Sequence, residues 1–83
     1  MKHPVRVPQL TETMEEATIT RWHKAVGDRV EKKEVLYQVE TDKSTMDVES
    51  VDAGLLCAII VGDGQTARVG QEIALIADTR EEC

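Results

Sequence analysis

The stretch Val35-Leu36-Tyr37-Gln38-Val39-Glu40-Thr41-Asp42-Lys43-Ser44-Thr45-Met46-Asp47-Val48-Glu49-Ser50 decides the fold. On its left arm Val35, Tyr37 and Val39 recur with period two, and on its right arm Met46 and Val48 do the same. Such alternation marks half-buried strands. Pairing Val39 with Met46 also pairs Tyr37 with Val48 and Val35 with Ser50, so the centre falls between Asp42 and Lys43. Those two residues become a two-residue hairpin loop. Asp suits a turn, because its carboxylate can bond the backbone two residues on. Lys has no such property and does not favour the positive φ of common hairpin turns. A lysine at an exposed tip is ordinarily a solvated charge. Solvated, it is a protonated ammonium and a poor nucleophile, so Lys43 is not a Schiff-base or general-base residue. Any chemistry at Lys43 is therefore a modification made by another enzyme.

Working outward, Val5, Val7 and Leu10 suggest a first strand that Pro4 and Pro8 confine to a sheet edge. Thr11 to Glu16 reads as a polar loop, with Glu12, Glu15 and Glu16 ordinarily solvated. Thr18 to Val26 reads as a second strand around Ile19, with Trp22 packing at the core or its rim. Val26-Gly27-Asp28 is a turn signal. The second half repeats the first. Gly27 and Gly64 stand 37 residues apart, and the same offset carries Ala17 to Gly54, Ile19 to Leu56, Leu36 to Ile73 and Val39 to Ile76. The repeat implies quasi-twofold symmetry in an all-β sandwich or flattened barrel. It also places Lys43 opposite Arg80, so the hairpin tip and the chain's end are expected at opposite ends of the molecule.

The 83 residues make one small domain, with 41% hydrophobic and 31% charged residues, as in a globular chain. The core has to come from Val, Ile, Leu, Met and Ala, since Trp22 and Tyr37 are the only aromatics. A net charge of −6 argues against nucleic acid or an anionic membrane as partner and favours a basic partner surface. Cys57 in an apolar run reads as a small core residue, and Cys83 as a mobile terminal one. No disulfide framework is expected, and a reduced, cytosolic setting fits. His3 and His23 stand alone without ligand spacing, so both are expected to be solvated and no metal site is expected. No apolar run approaches membrane length. The chain shows no catalytic triad and no phosphate loop, and Gly62-Asp63-Gly64 is only a turn.

The run Val39-Glu40-Thr41-Asp42-Lys43-Ser44-Thr45-Met46-Asp47-Val48-Glu49-Ser50 resembles the lipoyl-lysine hairpin of lipoyl domains. These are the swinging-arm carriers of the acyltransferase component of 2-oxoacid dehydrogenase complexes. The resemblance extends over about Val5 to Ala77. It includes Pro8-Gln9-Leu10-Thr11-Glu12-Thr13-Met14, Trp22-His23-Lys24-Ala25-Val26-Gly27-Asp28-Arg29-Val30 and Val69-Gly70-Gln71-Glu72-Ile73-Ala74-Leu75-Ile76. It implies two four-stranded sheets with lipoate joined to Lys43 at a hairpin tip. Asp42 and Ser44 would flank the lysine for ligase recognition, and Glu12, Thr13, Glu40 and Thr41 would meet partner enzymes. Those partners would be a lipoate ligase or lipoyl transferase, a thiamin-dependent 2-oxoacid decarboxylase, an acyltransferase core domain and dihydrolipoamide dehydrogenase. The resemblance further implies that the domain alone catalyses nothing, and that its setting is a bacterial cytoplasm or, in a eukaryote, the mitochondrial matrix. Residues 1–77 would be the domain and 78–83 the start of a linker or a disordered tail of a longer protein. The family often has Gly at the position of Ala17, so Ala17 implies a less strained backbone or a small distortion of the second strand. The alternatives are a biotin carrier, where the lysine normally lies between methionines rather than Asp42 and Ser44, and an unmodified interaction module. The glycine-cleavage carrier is longer and lacks this N-terminal pattern. Nothing in the resemblance selects among pyruvate, 2-oxoglutarate, branched-chain or acetoin systems.

Overall fold

The computed structural model describes residues 1–41 and 43–83. Its strands are β1 (Lys2–Arg6), β2 (Glu16–Trp22), β3 (Arg29–Val30), β4 (Val35–Glu40), β5 (Thr45–Glu49), β6 (Gly54–Ile59), β7 (Thr66–Arg68) and β8 (Glu72–Ala77). They form two antiparallel sheets of four, β1-β8-β6-β3 and β5-β4-β2-β7. The sheets are hydrogen-bonded separately, so the architecture is a sandwich and not a closed barrel. β1 lies at a sheet edge, as Pro4 requires.

The repeat is present in the ladder itself. Ile19 pairs with Val39 and Arg21 with Gln38, with a bulge between. At the 37-residue offset Leu56 pairs with Ile76 and Ala58 with Leu75, again with a bulge between. Ala17 faces Ala67 across β2 and β7, and Gly54 faces Val30 across β6 and β3. The turn glycines Gly27 and Gly64 share positive φ, +98° and +80°. Gly70 at +86° matches Lys33 at +70°, the one positive-φ non-glycine residue among those described. The symmetry reaches the chain ends. Thr41 N–H donates to Ser44 O across the hairpin, and Asp78 N–H donates to Met1 O at the equivalent place. The termini thus meet as an opened copy of the lysine hairpin. β5 leads away from that hairpin and turns through Ser50 to Ala53 into β6, whose Leu55 pairs with Ala77 beside the termini. The tip and the termini therefore occupy opposite ends of a molecule 38 Å long.

Alternation on each strand sends one face inward. Ile19, Val30, Leu36, Val39, Leu56, Ile73 and Ile76 are essentially solvent-free between the sheets. Trp22 packs at the rim against Tyr37, ring centroids 4.8 Å apart, and its indole N–H donates to Val61 O. Tyr37 is fully buried, and among the described residues its hydroxyl has no hydrogen-bond partner. Burial pushes that phenol up to about 12 from 10.0, because the phenolate cannot be hydrated there. The folded value exceeds the unfolded one, so this contribution is complete below pH 10 and is lost as pH rises toward 12. Urea unfolding is expected to lose roughly 2 kcal/mol across that window. Tyr37→Phe is expected to be neutral or stabilising at pH 7, since it removes an unpaired buried polar group, and to flatten the alkaline loss.

Several expectations change. Val35 pairs with Glu49 and not Ser50, because a bulge between Val35 and Tyr37 shifts the register. The second strand runs Glu16–Trp22 rather than Thr18–Val26. It takes in Glu16, which pairs with Arg68, and it stops before the turn that Asp28 closes by accepting the Ala25 N–H. His3 is not freely solvated. It is half-buried, 2.9 Å from Asp78 and 3.9 Å from Asp52. The hydrogen bond from His3, with the N-terminal ammonium, holds the Asp78 carboxyl below its ordinary range. Cys57 and Cys83 are not a core residue and a free end but a disulfide, Cα atoms 5.2 Å apart. Residues Arg80–Glu82 form a 3-10 turn.

Candidate functional site

β4 and β5 carry the tip. Glu40 pairs with Thr45 as the last rung, Val39 with Met46 behind it and Tyr37 with Val48 behind that. Beyond the rung, Thr41 closes the loop. Its hydroxyl donates to Ser44 O at 3.0 Å and accepts the N–H groups of Lys43 and Ser44, both at 3.2 Å. One hydroxyl thus uses its donor and both acceptor sites on a single turn. This is how a lysine occupies a position with no turn preference: the threonine side chain supplies what lysine lacks. Asp42 lies outside the described residues.

Lys43 and Ser44 are exposed. Such a lysine suits attachment of a long group that must move freely. Thr41→Ala is expected to cost about 1 kcal/mol, through lost turn hydrogen bonds. It is also expected to slow any enzymatic acylation of Lys43 several-fold, whereas Thr41→Ser keeps the hydroxyl and both properties. Thermal melts and acylation time courses check this.

Beside the tip lies an open groove of about 800 Å³, lined by Thr13 to Thr18, Glu40, Thr41, Arg68 and Val69. Of the residues singled out for partner contact, Thr13, Glu40 and Thr41 meet there. Glu12 is exposed on the same loop but does not line the groove. Sequence reasoning missed Arg68, which β7 brings beside Glu16. A three-residue strand gives no periodic signal, though the repeat offset from β3 could have located it. Among the described residues no group of His, Cys, Asp or Glu is arranged to hold a metal ion.

Comparison with known proteins agrees with this geometry. A biotin/lipoyl family model described as "Biotin-requiring enzyme" matches residues 3–76. The chain is 43% identical over 74 residues to the dihydrolipoyllysine-residue succinyltransferase component of the 2-oxoglutarate dehydrogenase complex of Staphylococcus saprophyticus, covering 89% of this chain and 18% of that protein. It is 46% identical over 76 residues to a chloroplastic dihydrolipoyllysine-residue acetyltransferase component 4 of the pyruvate dehydrogenase complex of Arabidopsis thaliana, covering 92% and 16%. The chain therefore spans less than a fifth of the length of these relatives. The solution structure of the lipoyl domain of the 2-oxoglutarate dehydrogenase complex of Azotobacter vinelandii superposes with a TM-score of 0.73 at 26% identity, covering 92% of this chain and 96% of that one.

Proposed function

We propose that this chain, which belongs to the biotin/lipoyl-attachment family and is a lipoyl carrier domain within it, bears its covalent lipoate on Lys43. The observation that carries the assignment is the position of Lys43: an exposed lysine at the β4–β5 tip, stapled by Thr41, at the end of the molecule away from the termini. Bound lipoate supplies a dithiolane that accepts an acyl group and two electrons. The chain's own part is physical. β4 and β5 hold the lysine at a fixed place, and amide formation removes its charge, making the domain one unit more acidic. Tethering raises the local concentration of the arm at each partner site. Ser44 beside the lysine, where a biotin carrier has methionine, favours lipoate over biotin.

The whole protein is proposed to be the acyltransferase component of a 2-oxoacid dehydrogenase complex. A thiamin-dependent decarboxylase, the acyltransferase core and dihydrolipoamide dehydrogenase would be successive partners, and a lipoate ligase or lipoyl transferase would load the domain. Asp42 and Ser44 would be read by the loading enzyme. Glu12, Thr13, Glu40 and Thr41 would be read by the partners, whose facing surfaces are basic, since the chain carries −6. A bacterial cytoplasm or a mitochondrial matrix is the proposed setting; the Cys57–Cys83 bridge removes the support that cysteine usage lent it. The relatives serve both pyruvate and 2-oxoglutarate complexes, so the substrate is assigned by experiment. The lipoylated chain is offered to decarboxylases for pyruvate, 2-oxoglutarate and branched-chain 2-oxoacids, and acyl transfer is followed by mass. One decarboxylase is expected to acylate it at least tenfold faster than the others. Acylation by none of them, with lipoate demonstrably in place, would contradict the complex assignment.

A further inference from the structure

The carrier reading leaves one redox-capable pair unused. Cys57 and Cys83 are 26 residues apart in sequence and joined by a disulfide. Cys57 lies in the bulge of β6, between Leu56 and Ala58, and Cys83 is exposed just past the 3-10 turn. We propose that this bridge is a second dithiol–disulfide site, one that exchanges with dihydrolipoyl groups on other copies of the domain and thereby docks or releases the segment after Ala77. The proposal rests on the lipoyl-carrier reading.

Three observations carry it. First, Cys83 is an exposed residue, and accessible bridges are the labile ones. Second, little else holds the segment. The 3-10 turn buries no residue. Among the described residues its remaining ties are a backbone bond from Asp78 N–H to Met1 O and contacts of the Met1 ammonium with Asp78 and Glu82 and of His3 with Asp78. Exposed ion pairs of this kind contribute little, so the covalent bridge decides whether the segment stays docked. Third, the lysine tip is at the far end of a 38 Å molecule, which arranges the exchange between copies and not within one.

The step balances. A dihydrolipoyl thiolate attacks Cys83 Sγ, forming a mixed disulfide, and Cys57 leaves as the thiolate. The second dihydrolipoyl thiolate then attacks its already joined partner sulfur, closing the dithiolane and expelling Cys83. Two electrons pass to the bridge, and the two protons of the dithiol end on Cys57 and Cys83.

The acceptor is the oxidised Lys43→Ala chain, which cannot carry lipoate at that position. It is treated with free dihydrolipoamide, or with a lipoylated and reduced Cys57→Ser/Cys83→Ser chain as donor. Iodoacetamide trapping with intact mass counts thiols, and amide exchange follows residues 78–83. The expected result is no alkylation before treatment and two alkylations after either dithiol. The donor chain should react with second-order kinetics, and exchange in 78–83 should rise at least tenfold. Two free thiols in the oxidised chain, resistance to excess dihydrolipoamide, or opening without a change in 78–83 would each overturn the proposal. Success with free dihydrolipoamide alone would overturn exchange between copies. A donor that gains no lipoyl mass before mixing would count against the carrier reading instead.

Discussion

Lys43→Ala is expected to abolish lipoyl loading and acyl carriage completely while leaving the fold intact. The side chain is exposed, and its backbone N–H, which donates to Thr41 Oγ1, survives the change. Exposed substitutions away from special backbone positions usually change stability by no more than about 0.5 kcal/mol. The variant should therefore melt with the parent, yet show no mass gain with lipoate, ATP and a lipoate ligase. The Lys43→Arg variant should behave in the same way, since a guanidinium does not form the amide. Lys2, Lys24, Lys32 and Lys33 remain in both variants. None is at the tip, Lys32 and Lys33 lying at the base of the β4–β5 hairpin beside Glu49 and Ser50, and they should not substitute. This loss is all-or-none, in contrast with the several-fold effect expected for Thr41→Ala, which disturbs the tip but keeps the nucleophile.

The largest expected loss of stability belongs to Gly54→Ala. Gly54 has φ +151°, and a Cβ there would stand 2.2 Å from the carbonyl oxygen of Ala77. No rotamer relieves a collision between Cβ and backbone. β6 must move away from β8, disturbing the Leu55–Ala77 and Leu56–Ile76 rungs in the middle of their sheet. The strained φ alone costs about 1–3 kcal/mol, and the displaced rungs add to it. A total on the order of 3 kcal/mol would lower Tm by roughly 10–20 °C in a chain of this size. The symmetry supplies an internal control. Ala17 is the repeat partner of Gly54 and is not at positive φ. Ala17→Gly should cost only about 0.5–1 kcal/mol, through added chain entropy. Calorimetric melts of the two variants side by side separate backbone collision from mere glycine content.

What could be read from the sequence, and what could not, divides by range. The alternation of Val39 and Met46 about Asp42-Lys43 was enough to set the hairpin register, because a half-buried strand has one correct phase. The 37-residue offset gave the paired glycine turns and the separation of tip and termini, since two copies of one strand pattern must bury equivalent faces. The bulge beside Val35 left no mark, as an unpaired extra residue breaks the count of two without changing composition. β3 and β7, of two and three residues, are too short for any period, and with β7 went the place of Arg68 beside the tip. The contacts of His3 with Asp78 and of Cys57 with Cys83 join residues 75 and 26 positions apart. Only the pairing of β1 and β6 with β8 in one sheet brings them together. Thr41 is intermediate. Its place in the motif was visible, but its three hydrogen bonds, the reason a lysine can occupy the tip, follow from the turn geometry.

Lipoate attachment at Lys43 is the step on which the carrier role depends. Its most direct test is site-resolved mass spectrometry of the wild-type chain after incubation with lipoate, ATP and a lipoate ligase, and in parallel with biotin and a biotin ligase. One lipoyl group, confined to the peptide containing Lys43, with no biotin gained, is the expected result. Biotin on Lys43, lipoyl on another lysine, or no modification of a chain shown to be folded would contradict it.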